Sequence, residues 1–324
     1  MQDFGLVVIG AHSGLFLKDL VSEYQDQNIL LVEPVPYNYE ILLQGGNVKK
    51  ILIYLLSIGI FGVASIANSQ TIRIGTEGAY PPWNNLNSAG ELEGAEIDFG
   101  NEACERMGVT CEWVTQDWDG IIPALLQGKY DIIIAGMSIT EERKEKVNFT
   151  TGYMTDGARF AVLKNSGLAN LNIAGMAKVN LNNAGGKEQA AIGQLIAAMD
   201  GKTVCVQSST IHQNFLEKHM SGAVDVELYQ AVDDHNLDLA AGRCDAVLAD
   251  VGSIIDFMES DGGVDVAFTG PTFSGGVFGD GVGGAVRKED TDILEMWNAA
   301  IAEMSKDGTT AEITKEWFGR DISM

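Results

Sequence analysis

The stretch of residues 136–143, GMSITEER, carries side chains that suit the binding of a carboxylate. The apolar residues 132–135 before it predict a buried parallel strand, and the residues behind it predict the start of a helix. Arg143 can hold a carboxylate through two parallel charge-assisted hydrogen bonds. Ser138 adds a hydroxyl, and Gly136 adds backbone donors at the strand tip. The alternative is an arginine in an ion pair on a solvated helix.

Further polar and aromatic residues follow other predicted strand ends, where ligands gather in parallel sheets. Tyr80 and Trp118 can enclose an aliphatic stem or stack on a guanidinium, and core packing is the alternative for both. Ser209 and Thr210 open a predicted helix whose free N–H groups favour an anion, although ordinary N-capping explains them as well. Asp250 ends a strand and either accepts from a ligand or caps the next helix.

Strands and helices alternate from residue 72 onward, which indicates parallel sheets covered by helices. The pattern occurs twice, so we expect two sheets and two lobes. Residues 168–198 are rich in Asn, Ala and Gly and should form a surface loop and one helix. The predicted strands are residues 72–75, 111–114, 130–135, 160–163, 204–206, 224–228 and 246–248, and the predicted helices are residues 97–107, 118–127, 292–306 and 310–317.

The composition excludes some classes of function. The chain has 324 residues and a formal net charge of −24, which argues against nucleic acid as a partner and suits a cationic ligand, although many soluble proteins are acidic. Neither a Ser-His-Asp arrangement nor a phosphate-binding Gly loop stands out beyond residue 69, and no cofactor is expected. The histidines show no metal-ligand spacing and are expected to be surface or capping residues. They are His12, His212, His219 and His235.

Residues 48–67 have the pattern of a secretory signal peptide. Lys49 and Lys50 precede an apolar run that small residues close, and cleavage is expected after Ala67. A transmembrane anchor is the alternative, but the run is at the short limit for spanning a bilayer.

Residues 1–47 contain a strand, a Gly-rich turn and a second strand that ends at Glu33. This resembles the start of an S-adenosylmethionine-dependent methyltransferase, with Glu33 placed for a ribose. Two strands and one helix are too few for an independent core. We therefore expect a gene-fusion remnant, or a start codon assigned too far upstream, that is removed with the signal peptide.

Several sequence blocks beyond residue 70 occur in a recognisable order. They are residues 72–83 (IRIGTEGAYPPW), 90–98 (GELEGAEID), 118–125 (WDGIIPAL), 130–149 (YDIIIAGMSITEERKEKVNF), 201–210 (GKTVCVQSST), 235–250 (HNLDLAAGRCDAVLAD), 270–278 (GPTFSGGVF) and 287–290 (RKED). Together they resemble the periplasmic amino-acid-binding proteins of ABC importers, solute-binding protein family 3. The resemblance is strongest to the lysine/arginine/ornithine- and opine-binding group.

The resemblance implies an α/β, two-lobed, type II periplasmic-binding-protein fold. Each lobe would be a mainly parallel sheet flanked by helices, and two hinge crossings would join the lobes. Lobe 1 would comprise residues 68–156 and 273–324, and lobe 2 residues 157–272. The crossings are expected near residues 154–158 and 269–276, of which the second is rich in Gly and small residues, as suits a hinge.

The resemblance also implies roles for the site residues. Arg143 would hold the ligand's α-carboxylate and Asp250 its α-ammonium, where opine binders often carry Asn instead. Glu77 follows the first strand and would meet a distal positive charge, because relatives that bind cationic side chains carry an acid here. Ala135 and Gly136 replace two serines of the lysine/arginine/ornithine pattern, which should enlarge the pocket.

The cysteines fit an exported protein. Cys104 and Cys111 should be bonded, because relatives place a disulfide across this turn and exported proteins favour disulfides. Cys205 and Cys244 each begin an apolar strand, and a second bridge requires those strands to be neighbours. That pairing is left open.

The combined expectation is a non-enzymatic, monomeric periplasmic protein that delivers a basic L-amino acid to an inner-membrane ABC permease. An opine ligand is the first alternative. A dehydratase is the second, because some dehydratases share this fold. A receptor sensor domain is the third, and it would need a transmembrane segment after the last residue.

Overall fold

The computed structural model describes residues 71–324, except residues 174 and 184, and two short strands nearer the N-terminus. The chain divides into two units, residues 1–65 and 66–324. In the first unit, strand β1 (Gly5–Leu6) pairs in parallel with strand β2 (Ile29–Leu30). The rest of the methyltransferase-like segment and the whole expected signal peptide lie outside the described residues.

Strands and helices alternate through the second unit, as the sequence predicts. The strands are β3 (Thr71–Thr76), β4 (Ala79–Tyr80), β5 (Asn84–Leu86), β6 (Leu92–Glu93), β7 (Thr110–Thr115), β8 (Ile132–Ile133), β9 (Asn148–Phe149), β10 (Ala158–Leu163), β11 (Lys178–Asn180), β12 (Lys202–Gln207), β13 (Val224–Tyr229), β14 (Ala246–Asp250), β15 (Val266–Ser274) and β16 (Ala285–Val286). The helices are α1 (Ala95–Met107), α2 (Ile121–Leu126), α3 (Glu141–Lys144), α4 (Gly186–Met199), α5 (Ile211–His219), α6 (Val232–Ala240), α7 (Val251–Glu259), α8 (Thr291–Asp307) and α9 (Thr309–Phe318). Short 3-10 turns cover Trp118–Gly120, Leu181–Asn183 and Gly276–Phe278. Among these helices, none is both long and apolar enough to cross a bilayer.

Each lobe is built on one main sheet, and lobe 1 adds a small antiparallel sheet of β4, β5 and β6. The lobe 1 sheet has the strand order β7-β3-β8-β16-β9, and the lobe 2 sheet has the order β11-β15-β10-β14-β12-β13. The parallel pairs include β3 with β7 and β8, and β12 with β13 and β14. Every antiparallel pair in these two sheets involves β10 or β16, the first strand after each crossing. The other pairs in these two sheets are parallel.

Large aromatic side chains fill the two cores. In lobe 1, Trp83 and Trp297 are fully buried, and the Trp83 ring meets the edge of Phe318 at 4.9 Å between centroids. In lobe 2, Phe160 and Phe215 are fully buried, and the centroids of their rings lie 6.4 Å apart. These cores hold the strand ends that carry the site in fixed positions, since interiors of this kind are close-packed.

Both cysteine pairs are bonded in the structure. Cys104, near the end of α1, is joined to Cys111 at the start of β7. Cys205 in β12 is joined to Cys244, which lies two residues before β14. Because β12 and β14 are neighbours, the condition for the second bridge is met.

The first crossing lies where the sequence predicts it. Met154 still pairs with lobe 1 residues, and β10 begins lobe 2 at Ala158. Between them, the buried Asp156 carboxylate accepts from the N–H of Gly252 at 2.6 Å and pairs with Arg320 at 2.6 Å. This crossing is therefore anchored to both lobes.

The second crossing lies later than predicted. Residues 269–274 belong to β15, which pairs with β10 and β11 within lobe 2, and Phe278 still packs in the lobe 2 core. Val282 is the first residue that packs in the lobe 1 core. The small residues of 269–276 indicated a hinge, but their backbone groups are used by the sheet, and the chain crosses between Phe278 and Val282.

Candidate functional site

A pocket between the two lobes collects eight of the nine residues predicted to bind the ligand. It holds about 310 Å³ of space not filled by atoms, part of which is open to solvent. Ser209 is the ninth; it is exposed, and its carbonyl accepts from Trp118 Nε1 at 3.1 Å and from Arg143 Nη2 at 3.5 Å. The lining residues are Glu77, Tyr80, Trp118, Ala135, Gly136, Ser138, Arg143, Gln207, Thr210, Ile211, His212 and Asp250.

Side chains of the two lobes meet around this pocket. Lobe 1 contributes Tyr80, which donates to Asp250 at 2.6 Å, and Trp118, whose Nε1 donates to the Ser209 carbonyl at 3.1 Å. Outside the pocket, the Ser208 hydroxyl donates to Asp119 at 2.9 Å. The lobes are therefore closed on one another.

Arg143 is fixed at one end of the pocket by its own short helix. Thr140 caps α3 by accepting from the Arg143 N–H at 3.2 Å, and the Arg143 guanidinium donates to the Ser138 carbonyl at 3.0 Å. The guanidinium also lies over the Trp118 ring, 5.1 Å from its centroid. Burial lowers the pKa of Arg143 to about 10. The group therefore stays charged at neutral pH and is available to an anion.

Thr210 faces Arg143 from lobe 2 at the start of α5. Its hydroxyl accepts from the Gln213 N–H at 3.2 Å and donates to the Gln207 carbonyl at 2.7 Å, so the capping role is present. Ser209 before it adopts a φ of 58°, which is uncommon for a non-glycine residue and directs its carbonyl to Trp118. The first-turn N–H groups of α5, at Ile211 and His212, belong to those that a helix leaves without intrahelical partners. This helix end therefore suits an anion beside Arg143.

Asp250 holds a different position from a simple helix cap. It is the last residue of β14 and precedes α7, but its carboxylate makes no capping hydrogen bond. Its Oδ2 accepts from the Tyr80 hydroxyl, and its Oδ1 lies 3.2 Å from His212 Nε2. Burial and the Asp250 charge raise the pKa of Tyr80 well above its usual range, so Tyr80 is a neutral donor here. Asp250 thus presents a buried carboxylate to the pocket.

Glu77 and Gln207 form another part of the pocket wall. Glu77 follows β3, is only 8% exposed and accepts from Gln207 Nε2 at 2.6 Å. Gln207 ends β12 and also donates to the Gln230 carbonyl at 2.9 Å. Burial raises the pKa of Glu77 to about 8. A cation arriving at Glu77 would therefore stabilise its ionised form.

Gly136 plays a different part from the one predicted. Its N–H, expected to be free for a ligand carboxylate, donates to Glu96 Oε2 at 2.7 Å. Gly136 has a φ of 60°, and a Cβ there would stand 3.1 Å from the Tyr80 ring. The Tyr80 ring therefore borders the space that a side chain at position 136 would occupy. The hydroxyl of the same ring donates to Asp250.

Comparisons with known proteins decide the family. Residues 72–320 match the bacterial extracellular solute-binding proteins, family 3. The chain belongs to this family. It is 38% identical over 289 residues to the octopine-binding periplasmic protein of Rhizobium meliloti, covering 83% of this chain and 98% of that protein. It is 35% identical over 277 residues to the L-arginine-binding protein of Pseudomonas aeruginosa, covering 85% and 98%.

A solved structure agrees with the fold of this family 3 protein. The periplasmic His/Glu/Gln/Arg/opine family-binding protein from Silicibacter pomeroyi, solved in complex with lysine, is 34% identical, with a TM-score of 0.63. The match covers 78% of this chain and 99% of that one. The two-lobed α/β fold predicted from the sequence is confirmed.

The prediction for the histidines of the family 3 protein is wrong at two positions. His212 lines the pocket and is 5% exposed, and His235 in α6 is fully buried. Burial lowers the pKa of His235 to about 3. Metal-ligand spacing does not identify His212 as a pocket residue. The signal that could have identified it is its place in the first turn of a helix that follows a strand end. Residues 71–324, apart from 174 and 184, contain no cluster of three or more His, Cys, Asp or Glu that could hold a metal.

Proposed function

We propose that this family 3 solute-binding protein captures a basic L-amino acid, arginine, lysine or ornithine, between its two lobes. The observation that carries the proposal is that Arg143, Asp250 and Glu77 line one pocket. The Asp250 charge acts on Arg143, whereas the charges that act on Glu77 are other carboxylates. A basic amino acid has the complementary groups, an α-carboxylate, an α-ammonium and a distal cation. The similarity to the L-arginine-binding protein of Pseudomonas aeruginosa supports the same class of ligand.

The role of each residue follows from this arrangement of charges. Arg143, with the start of α5 at Ser209 and Thr210 and the nearby Ser138, would hold the α-carboxylate. Asp250 would accept from the α-ammonium.

The remaining lining residues would contact the ligand's side chain. Tyr80 and Trp118 would enclose its aliphatic stem, and Glu77 would pair with its cation. Gly136 would provide room for the Tyr80 ring.

Export and delivery complete the proposal. Residues 1–47 would be a remnant and residues 48–67 a signal peptide, so the mature monomer would begin near Asn68 in the periplasm and deliver its ligand to an inner-membrane ABC permease. N-terminal sequencing of periplasmic protein should read from Asn68. Recovery of the intact Met1 form from the membrane would contradict the assignment.

An opine is the second candidate ligand. The octopine-binding relative from Rhizobium meliloti favours it, and so does His212, whose ring lines the pocket with Nε2 3.2 Å from Asp250 Oδ1. An opine carries a second carboxylate on the substituent of its α-nitrogen, next to where Asp250 would hold that nitrogen. The His212 ring would lie beside this carboxylate.

A thermal-shift panel tests the choice of ligand. The mature protein is heated with each of the twenty amino acids, ornithine, citrulline, octopine and nopaline. A ligand at 100 times its Kd adds about 2.7 kcal/mol to the free energy of unfolding, or about 5–10 °C in Tm for a protein of this size. Arginine, lysine or ornithine should give the largest shift and glutamate none. A shift with octopine alone would make the opine the ligand, and ligand turnover on incubation would indicate a dehydratase.

A further inference from the structure

Glu77 is a carboxyl group that the protein leaves without a cation. Its Oε1 accepts from the neutral amide of Gln207, and within residues 71–324, apart from 174 and 184, it makes no ion pair. The charged groups that face it are all carboxylates. They are Asp117 and Asp119 at the 3-10 turn that bears Trp118, and Asp233 in the first turn of α6.

The other titratable neighbour of Glu77 does not offset its charge. Tyr80 is a buried phenol whose own pKa is raised, in part by Glu77. An isolated carboxylate in such surroundings is costly, so the group holds a proton until a cation arrives. Since Oε1 is held by Gln207, Oε2 is the atom that either carries the proton or meets the ligand.

We propose that Glu77 lets this pocket bind two classes of amino acid that differ in the charge of their side chains, with one proton exchanged between them. The inference rests on the proposed function. A cationic side chain binds to the ionised carboxylate, and the proton leaves for solvent as the ligand enters. An uncharged side chain that ends in an amide or ureido group, as in glutamine or citrulline, binds while Glu77 keeps its proton. Its carbonyl oxygen then accepts from the Glu77 O–H.

The pH dependence of ligand preference follows. With a pKa of about 8 in the ligand-free protein, Glu77 is protonated in about nine molecules of ten at pH 7. Arginine must displace that proton and citrulline needs it, so the affinity for arginine relative to citrulline should rise about 100-fold between pH 6 and pH 8. The ratio of the two affinities removes the contributions of Asp250 and His212, because both ligands carry the same α-groups.

Calorimetry measures the proton directly. Arginine and citrulline are titrated into the mature protein at pH 7 in phosphate and in Tris, whose ionisation enthalpies differ. Wild type should release about 0.9 proton with arginine and none with citrulline. Glu77→Gln should release none with either. Asp233→Asn removes one neighbouring carboxylate and should lower the proton count with arginine while leaving the α-group contacts intact.

The outcomes separate this inference from the proposed function. Tight arginine binding without proton release, or an arginine-to-citrulline ratio that is flat with pH, overturns the inference and leaves the basic-amino-acid assignment standing. Absence of arginine binding at every pH overturns both. The wild-type ratio needs no variant, so the test holds even if Glu77→Gln fails to fold.

Discussion

Replacing Arg143 tests the end of the pocket where every amino acid presents the same group. The guanidinium is held by the Ser138 carbonyl at 3.0 Å and lies 5.1 Å from the centroid of the Trp118 ring. Arg143→Ala removes the charge and all of the guanidinium N–H donors. Arg143→Lys keeps a charge but loses the planar fork and the stacking on Trp118.

The magnitudes follow from the interactions that are lost. Truncating one partner of a buried charge pair costs about 2–5 kcal/mol, so Arg143→Ala should weaken binding about 30-fold to several thousand-fold. Arg143→Lys should weaken it by about 1–2 kcal/mol, the value of the lost cation–π contact and one hydrogen bond. Isothermal calorimetry with arginine at pH 8.5, where Arg143 is still charged, measures both changes.

A matched control is available on the same helix. Lys144 follows Arg143 but pairs with Glu141 at the surface. Lys144→Ala should therefore change the binding free energy by less than about 0.5 kcal/mol. If folded Arg143→Ala binds arginine as tightly as Lys144→Ala does, the α-carboxylate lies elsewhere.

The remaining predictions concern stability. Serine at both Cys205 and Cys244 opens a bridge across 39 residues, so the free energy of unfolding in urea should fall by ~4 kcal/mol; an unchanged midpoint would show that the bridge does not restrict the unfolded chain. Gly136→Ala places a Cβ 3.1 Å from the Tyr80 ring at a φ of 60°. This should lower the free energy of unfolding by ~1–2 kcal/mol and also weaken arginine binding. Full affinity for arginine in this variant would contradict the role given to the Tyr80 ring. Glu77 is protonated in the folded protein but ionised in the unfolded chain between about pH 4.5 and 8, so it makes ligand-free stability fall as pH rises through that range. Thermal unfolding of Glu77→Gln should show a smaller fall, and identical pH profiles would refute the raised pKa.

Local signals were sufficient to predict the strand ends that carry the site. An apolar run followed by a threonine predicts the start of a helix, and Thr140 and Thr210 do cap helices in the structure. Such signals suffice because strand burial and helix capping depend on residues close together in sequence. The sequence also indicated the right condition for the second bridge, that β12 with Cys205 and the strand after Cys244 be neighbours, but only the sheet order shows that this condition is met.

Long-range pairing is what the sequence could not predict. Gln207 meets Glu77 across 130 residues, and His212 meets Asp250 across 38. Glu96 uses the N–H of Gly136, although 40 residues separate them. Such partners depend on how the chain folds back and how the lobes close, and no local pattern encodes them. The second crossing was misplaced for a similar reason, since a small-residue stretch can pair in a sheet as well as bend.

The crystal structure of the arginine complex tests the central assignment most directly. The density should place the α-carboxylate at Arg143 and the start of α5, the α-ammonium at Asp250 and the guanidinium at Glu77, with the stem between Tyr80 and Trp118. Arginine in the reverse orientation, or bound outside the pocket between the lobes, would contradict the account.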